Sequence, residues 1–282
     1  MLLIADSGST KCDWILYNNE NEDPIRIRTK GLNPAILSKK ALKKIITKDL
    51  ELVKYKQLVT SIHFFGAGCG TDKNQKKVNK ILKSFFKKAK ATTNEDIMAA
   101  VYATTMEPAV VCILGTGSNC CFYDGDTVQL KTPSLGYIVM DEGSGNYFGK
   151  VLLRKYYYGQ MPDELKFSFE KHYNLKEKNV IKKLYQSSTP NKYLADFARF
   201  LFENEEHPFI QDILQEGMDV FVEDHVLRYA EELKTVQLHF VGSIAFHGKK
   251  YIDIALSKKG LKASRFIRRP IDNLVNHIKE KN

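Results

Sequence analysis

The sequence predicts an α/β chain built as two domains, and three observations carry the prediction. A strand, a Gly/Ser/Thr-rich turn and a second strand open the chain in "LLIADSGSTKCDWILY", and the same device returns midway in "ILGTGSNCCFYDGDTVQL". After each copy a third strand run follows, and then helical and strand patterns alternate. The chain's 282 residues are enough for two modest domains. Identity between the halves is too low to establish a repeat, but the order of elements is the same. The expected division is 1–106 and 107–282, with a helical insertion in the second domain. The last helix, about 270–282, is expected to pack back on the first domain.

Taken in order, Leu2–Asp6 reads as a strand, Ser7–Lys11 as a hairpin turn, and Cys12–Tyr17 as the return strand. Ile25–Thr29 is a third strand. "GLNP", Gly31 to Pro34, is turn chemistry. Ser38 suits an N-cap for a helix running to about Tyr55. Ser61–Phe65 reads as a buried strand stopped by "GAGCG". In "TDKNQKKVNKILKSFFKKAK" the residues Val78, Ile81, Leu82, Phe85 and Phe86 form one helical stripe, with lysines on the other face. A weak strand near Ala91–Thr93 and a helix from Asp96 to Thr104 complete the first half. The pattern restarts after Met106-Glu-Pro108 with strands at Ala109–Leu114, Asn119–Tyr123 and Thr127–Lys131, the last two joined by an Asp124-Gly125 turn. Helices are expected near 145–158, 163–173, 177–186, 190–203 and 208–233. A buried strand in "TVQLHFVGS", a helix, a short strand at Arg265–Ile267 and a helix after Pro270 close the chain.

Composition narrows the function. Net charge is +10, but much of the excess sits on a solvated helix face, so nucleic acid is not expected as a partner and an anionic ligand such as a nucleotide is. No apolar run approaches bilayer length, so no membrane association is expected. With no signal-peptide pattern, the cytoplasm is the expected compartment. The five cysteines make no CxxC and no framework of paired spacings, and read as reduced, buried thiols.

Two turns carry the chemistry. In "DSGST" the glycine admits a close ligand, the hydroxyls of Ser7, Ser9 and Thr10 offer polar contacts, and successive N–H groups form an anion-binding concavity. Asp6 at the strand end can hold a hydrated Mg²⁺ facing the phosphates, and Lys11 adds a cation. Taken alone, this motif equally fits a plain polar hairpin. "GTGSN", Gly115 to Asn119, repeats the device, and the pair suggests a triphosphate pinched between domains. No P-loop is present, and both turns join strand to strand, which disfavours a Rossmann reading. "GYIVMDEGSGNYFG" places Asp141 and Glu142 just before a helix start, where an acid can position a metal or a substrate hydroxyl, or can cap the helix.

These segments, in this order, resemble the N-acetylglucosamine kinase and BadF/BadG/BcrA/BcrD-type ATPase group of the sugar kinase/Hsp70/actin superfamily. "ADSGSTKCDWIL" resembles the first phosphate motif, "ILGTGSNC" the second, "GYIVMDEGSGNYFG" the DEGS segment of N-acetylhexosamine kinases, and "FVGSIA" the adenosine motif. The resemblance spans essentially the whole chain. It implies a two-domain actin-like ATPase fold with ribonuclease-H-like cores, and ATP with Mg²⁺ as cofactors. It implies an ATP-dependent carbohydrate kinase that phosphorylates a hydroxyl, expected to be the 6-hydroxyl, of an N-acetylated amino sugar. Asp96 in "TTNEDIMAA" falls where the family has its catalytic base. ATP contacts carry over to Ser7, Gly8, Ser9, Thr10, Lys11, Gly115, Thr116, Gly117, Gly242 and Ser243. Sugar contacts carry over to Asn33, Thr116, Ser118, Asn119, Gly136, Tyr137 and Asp141, and the metal position to Asp6. Tyr137 stands where these kinases often have Trp, which leaves the sugar open, and Glu95 stands where bacterial relatives often have Asn or Ser, which bears on the tuning of the base. The resemblance allows a homodimer and does not choose among N-acetylglucosamine, N-acetylmuramate, glucosamine and other hexoses. Two alternatives remain: an ATPase activator of a radical dehydratase or aryl-CoA reductase, carrying an iron–sulfur cluster, and a non-catalytic nucleotide- or sugar-binding sensor. Cys120 and Cys121 are adjacent on a strand and so point to opposite faces, which suits packing better than shared cluster ligation.

Overall fold

Apolar runs cut by turn residues build the inner strands of the first sheet, and their burial on both faces explains why they barely alternate. In the computed structural model, which describes residues 1–8, 11–18, 23–271, 273, 274 and 278, the chain divides into two compact units, 1–106 with 270–282, and 107–269. The first unit contains β1 (Leu2–Ser7), β2 (Lys11–Tyr17), β3 (Ile25–Lys30), α1 (Lys39–Lys48), α2 (Leu50–Tyr55), β4 (Ser61–Gly66), α3 (Asp72–Phe85), β5 (Lys90–Glu95) and α4 (Asp96–Thr104). Its five strands lie in the order β3-β2-β1-β4-β5, with β1 antiparallel to β2 and parallel to β4. Leu3 and Ala5 of β1 join Trp14, Leu42, Leu52, Val78 and Leu82 in one core. Ile4, one residue out of phase, joins Ile15, Phe65, Ala99, Ile271, Leu274 and Ile278 in a second core. Helices therefore cover both faces of the sheet, and the segment after Pro270 packs beside α4, with Asn273 Nδ2 donating to the Ala103 carbonyl at 3.2 Å.

The second unit repeats the plan. It contains β6 (Ala109–Leu114), β7 (Ser118–Tyr123), β8 (Val128–Gln129), α5 (Gly145–Tyr157), α6 (Asp163–His172), α7 (Glu177–Tyr185), α8 (Pro190–Asp196), α9 (Ala198–Glu203), α10 (Pro208–Asp224), β9 (Gln237–Val241), α11 (Ser243–His247), α12 (Lys249–Ser257) and β10 (Arg265–Ile267). Strand order is β10-β9-β6-β7-β8. Counted from its own first strand, this is the order of the first sheet, with the same antiparallel and parallel pairings. The repeat that residue identity left open is thus present in the topology, and the mixed α/β fold class is the one expected from the sequence. Helices α5–α10 form the insertion, held by an aromatic cluster in which Phe169 meets Tyr156, Tyr173, Phe197 and Phe200 at ring separations of 4.9–5.8 Å. Among the described residues no helix is long and apolar enough to cross a membrane.

Several expected helices are broken, each for a local reason. The Ser38–Tyr55 helix splits at Asp49, whose extended backbone ends α1 and whose Oδ1 accepts the Leu52 amide at 3.0 Å to start α2. A short carboxylate that can bond nearby amides competes with the helix ladder. The expected 190–203 helix divides at Phe197, and the 208–233 helix ends at Asp224, followed by 3₁₀ turns. The helix after Gly242 is two, meeting at Gly248, a residue that costs a helix backbone entropy.

All five cysteines are buried free thiols. Cys112 and Cys120 face each other across β6 and β7 with sulfurs 2.9 Å apart. Cys121, the next residue, points to the other face, as strand geometry requires.

The tightest helix contact joins α5 to α8 at Gly149, where an added Cβ would overlap the Leu194 carbonyl oxygen. Backbone cannot yield there as a side chain would. Gly149→Ala should therefore destabilise the protein by about 1–3 kcal/mol, read as a lower urea midpoint at unchanged slope; an unchanged midpoint would mean that α8 moves freely away.

Candidate active site

Parallel strands deliver their residues to one end. In the first unit Ser7 of β1 pairs with Gly66 of β4, and Gly66 pairs with Glu95 of β5. Asp6, Ser7, Gly66, Glu95 and the following Asp96 therefore share the carboxyl end of the sheet, where open α/β sheets bind ligands. The Asn33 loop is tied to this end. Ser7 is fully buried, and its Oγ accepts the Leu32 amide at 2.8 Å. Asn33 is buried too, with Oδ1 accepting the Ala35 amide at 2.9 Å. A Cβ on Gly68 would overlap the Asn33 amide, and one on Gly70 would meet Glu95 Oε1 at 2.7 Å. The loop Gly66–Gly70 thus packs against Asn33 on one side and Glu95 on the other.

Asp96 opens α4. Its carboxylate accepts the amides of Asp96 and Ile97, which favour the charged form, but burial outweighs them, the Glu95 charge adds to it, and the pKa rises to about 6. Burial also raises Glu95, and the Cys69 thiol is pushed up to about 12, chiefly by burial and further by the charges of Asp96 and Glu95. Lys11 is exposed and lies 3.4 Å from Asp13. Gly8 is half-buried, whereas Ser9 and Thr10 lie outside the described residues.

In the second unit the GTGSN turn is braced from behind. The first amides of α5 do not point to open solvent: Gly145 N–H donates to the Gly115 carbonyl at 2.8 Å and Asn146 N–H to the Thr116 carbonyl at 3.0 Å. The turn's carbonyls are thereby drawn toward the helix. Asp141 grips the same turn, its Oδ1 accepting the Ser118 amide at 3.2 Å and its Oδ2 the Asn146 side-chain amide at 2.7 Å. Next to it, Glu142 meets His225 Nε2 at 3.1 Å, and the imidazole stacks on Phe221. Gly136 turns the chain with φ 79°, and Lys150 Nζ donates to the Tyr137 carbonyl at 2.6 Å. Thr116 is exposed, Ser118 is buried, and Asn119 is half-buried with its Oδ1 accepting the Cys120 amide at 2.9 Å. Gly242, φ 118°, lies against the end of β6, where a Cβ would overlap the Leu114 carbonyl; Ser243 begins α11 and is exposed. The described residues thus bring Gly115, Thr116, Gly117, Ser118 and Asp141 together, with Gly242 beside them.

The fold is shared with proteins of known structure. A Porphyromonas gingivalis protein provisionally named an N-acetylglucosamine kinase superposes with a TM-score of 0.92 at 30% identity, covering 99% of each chain. The chain belongs to the N-acetylglucosamine kinase family and has an actin-like ATPase fold. A Chromobacterium violaceum protein with the same provisional name shares this family's fold at TM-score 0.70 and 12% identity over 98% of each chain. A ROK family glucokinase from Streptomyces griseus, solved with glucose and AMPPNP, does so at 0.59 and 10%, covering 99% of this chain and 98% of its own. No family model and no curated protein matches the sequence.

Four parts of this family member's site escaped the sequence reading. The Gly66–Gly70 loop read as a strand stop, although three glycines in five residues are a visible sign of close packing. Asn146, which holds Asp141, lies inside the DEGS segment without standing out there; His225, which holds Glu142, carries no motif, and Lys150 looks like any helix lysine.

The raised Asp96 pKa has a measurable consequence for stability. Its folded value, about 6, lies above the ordinary 3.8, so the ionised group destabilises the fold; this loss sets in above pH 4 and is complete above pH 6. Asp96→Asn should raise Tm by several degrees at pH 7–8, corresponding to about 2–3 kcal/mol, with the gain vanishing near pH 4. A gain independent of pH would remove the ionisation as its cause.

Proposed function

We propose that this chain is an ATP-dependent kinase that phosphorylates a hydroxyl, with the 6-hydroxyl preferred, of an N-acetylated amino sugar. The observation that supports the reading is Asp96: a carboxylate just past the carboxyl end of the parallel strands β1, β4 and β5, with its pKa raised to about 6 chiefly by burial, in a chain that matches the Porphyromonas protein end to end. Phosphoryl transfer asks for positioning and charge stabilisation more than covalent chemistry. Asp96 would accept the sugar hydroxyl proton, Asn33 and Asp141 would orient the ring, and the two Gly/Ser/Thr turns would hold the phosphates.

The residues fit ATP with Mg²⁺. Mg²⁺ keeps most of its waters and needs one or two carboxylates besides phosphate oxygens, which Asp6 at the end of β1 can supply. When bound, the ion neutralises phosphate charge. Gly115 leaves room for a phosphate contact: a Cβ there would meet no described protein atom within 4 Å, so the space beside it is open to a ligand. Burial of Cys120 and Cys121, 3% and 0% exposed, favours packing over the iron–sulfur cluster of the activator alternative.

A coupled ADP-release assay across N-acetylglucosamine, N-acetylmuramate, glucosamine and neutral hexoses tests the reading. Turnover should need Mg²⁺, and kcat should fall about tenfold per pH unit below pH 6 as Asp96 takes up its proton. Asp96→Asn should lower kcat by about 10²-fold or more while both KM values change little, because the proton moves only in the transition state. Near-normal kcat in that variant would place the base elsewhere, and no turnover of any sugar by the wild type would end the sugar-kinase reading.

A further inference from the structure

Two locally unfavourable features meet at one carboxylate. Among the described residues Asp141 is the sole non-glycine with positive φ, 75°, a conformation in which a Cβ strains the backbone. Five residues on, Asn146 is fully buried. Its Nδ2 donates to Asp141 Oδ2 at 2.7 Å, while its Oδ1 has no hydrogen-bond partner among the described residues. Leaving a buried amide oxygen unpaired is costly, and an apolar residue at this position would avoid the cost. Backbone strain and an orphaned polar atom at the same spot are what a functional constraint leaves behind. Packing does not require Asn here: the bond that brings Gly145 and Asn146 onto the GTGSN turn is made by backbone amides.

We infer that Asn146 is a positioning residue, fixing the rotation of the Asp141 carboxylate so that its remaining lone pairs face the substrate. The inference rests on the sugar-kinase reading and deepens it. An ionised carboxylate only accepts hydrogen bonds, and Asp141 takes one from Asn146 and one from the Ser118 amide. Toward a ligand it can still accept from a hydroxyl or an amide N–H, in line with the sugar contact proposed above, and it repels a phosphate oxygen.

The test uses the full-length enzyme and the sugar that the wild type turns over best. Asn146→Ala should lower kcat/KM for sugar at least about tenfold, the scale for losing a hydrogen bond to a charged group, with KM for ATP within twofold and Tm within a few degrees. Asn146→Asp gives a sharper readout. Two carboxylates at hydrogen-bond distance hold one shared proton, and only the protonated pair restores the donor that Asn146 provided. The ratio of variant to wild-type kcat/KM should therefore climb as pH falls from 8 to 6. Lys150 and Glu142, the neighbouring charges, and His225 on Glu142 are common to both proteins and cancel in that ratio. Kinetic constants for Asn146→Ala within twofold of wild type, or a flat Asn146→Asp ratio, overturn the inference while leaving the kinase reading intact; if Asn146→Ala does not fold, the Asn146→Asp ratio decides. A wild type inactive on every sugar overturns the kinase reading and this role with it.

Discussion

The start of α5 is the constraint from which much of the second unit follows. A helix begins with amides that have no partner inside it, and here two of them are taken by the carbonyls of a turn 30 residues earlier, Gly145 to Gly115 and Asn146 to Thr116. That contact needs small residues on both sides. A Cβ at Gly117 would crowd the Asp141 carboxylate at 2.8 Å, and one at Gly145 would meet Ala195 Cβ at 3.1 Å and the Gly115 oxygen at 3.2 Å. The glycines of two distant motifs therefore serve one junction. The DEGS segment is the back wall of the GTGSN turn as well as a carrier of acids.

The first unit solves the same problem by other means. The end of β1 is anchored through Ser7, whose carbonyl accepts the Ala67 amide at 2.8 Å and whose hydroxyl accepts the Leu32 amide. One buried serine thus ties three segments: the end of β1, the Asn33 loop and the glycine loop after β4. The family resemblance placed Ser7 among the ATP contacts, yet its hydroxyl is already engaged in holding Leu32. Its part in nucleotide binding would run through the shape of the turn.

Much of the architecture was legible in the sequence because it rests on local signals. Strand positions followed apolar runs bounded by Gly, Asp and Asn, and the duplicated strand–turn–strand unit announced two sheets of like order. Asp96 and the glycine turns could be singled out because glycine-rich turns after strands and an acid at a helix start are visible in the sequence itself. The missed features depend on contacts that no pattern in the sequence marks. Asp49 breaks a helix whose apolar pattern runs through it, and only the Leu52 amide reveals why. His225 reaches Glu142 across 83 residues, and the pairing of Cys112 with Cys120, rather than any role for Cys120 with Cys121, follows from strand register.

The tuning of Asp96 gives physical meaning to the acidic residue before it. At the first position of α4, amides of the helix start stabilise the carboxylate and would hold its pKa low. Burial, with the Glu95 charge adding to it, reverses that balance. A stronger base abstracts a proton more readily, but it is available only above its own pKa, so the useful range lies between the ordinary carboxylate value and the working pH. A value of about 6 sits near the top of that range and leaves most of the groups ionised at neutral pH. A neutral side chain in place of Glu95 would remove the like-charge contribution and lower the proton affinity of Asp96. Glu95 thus adds to the proton affinity of Asp96, while its own pKa is raised by its burial.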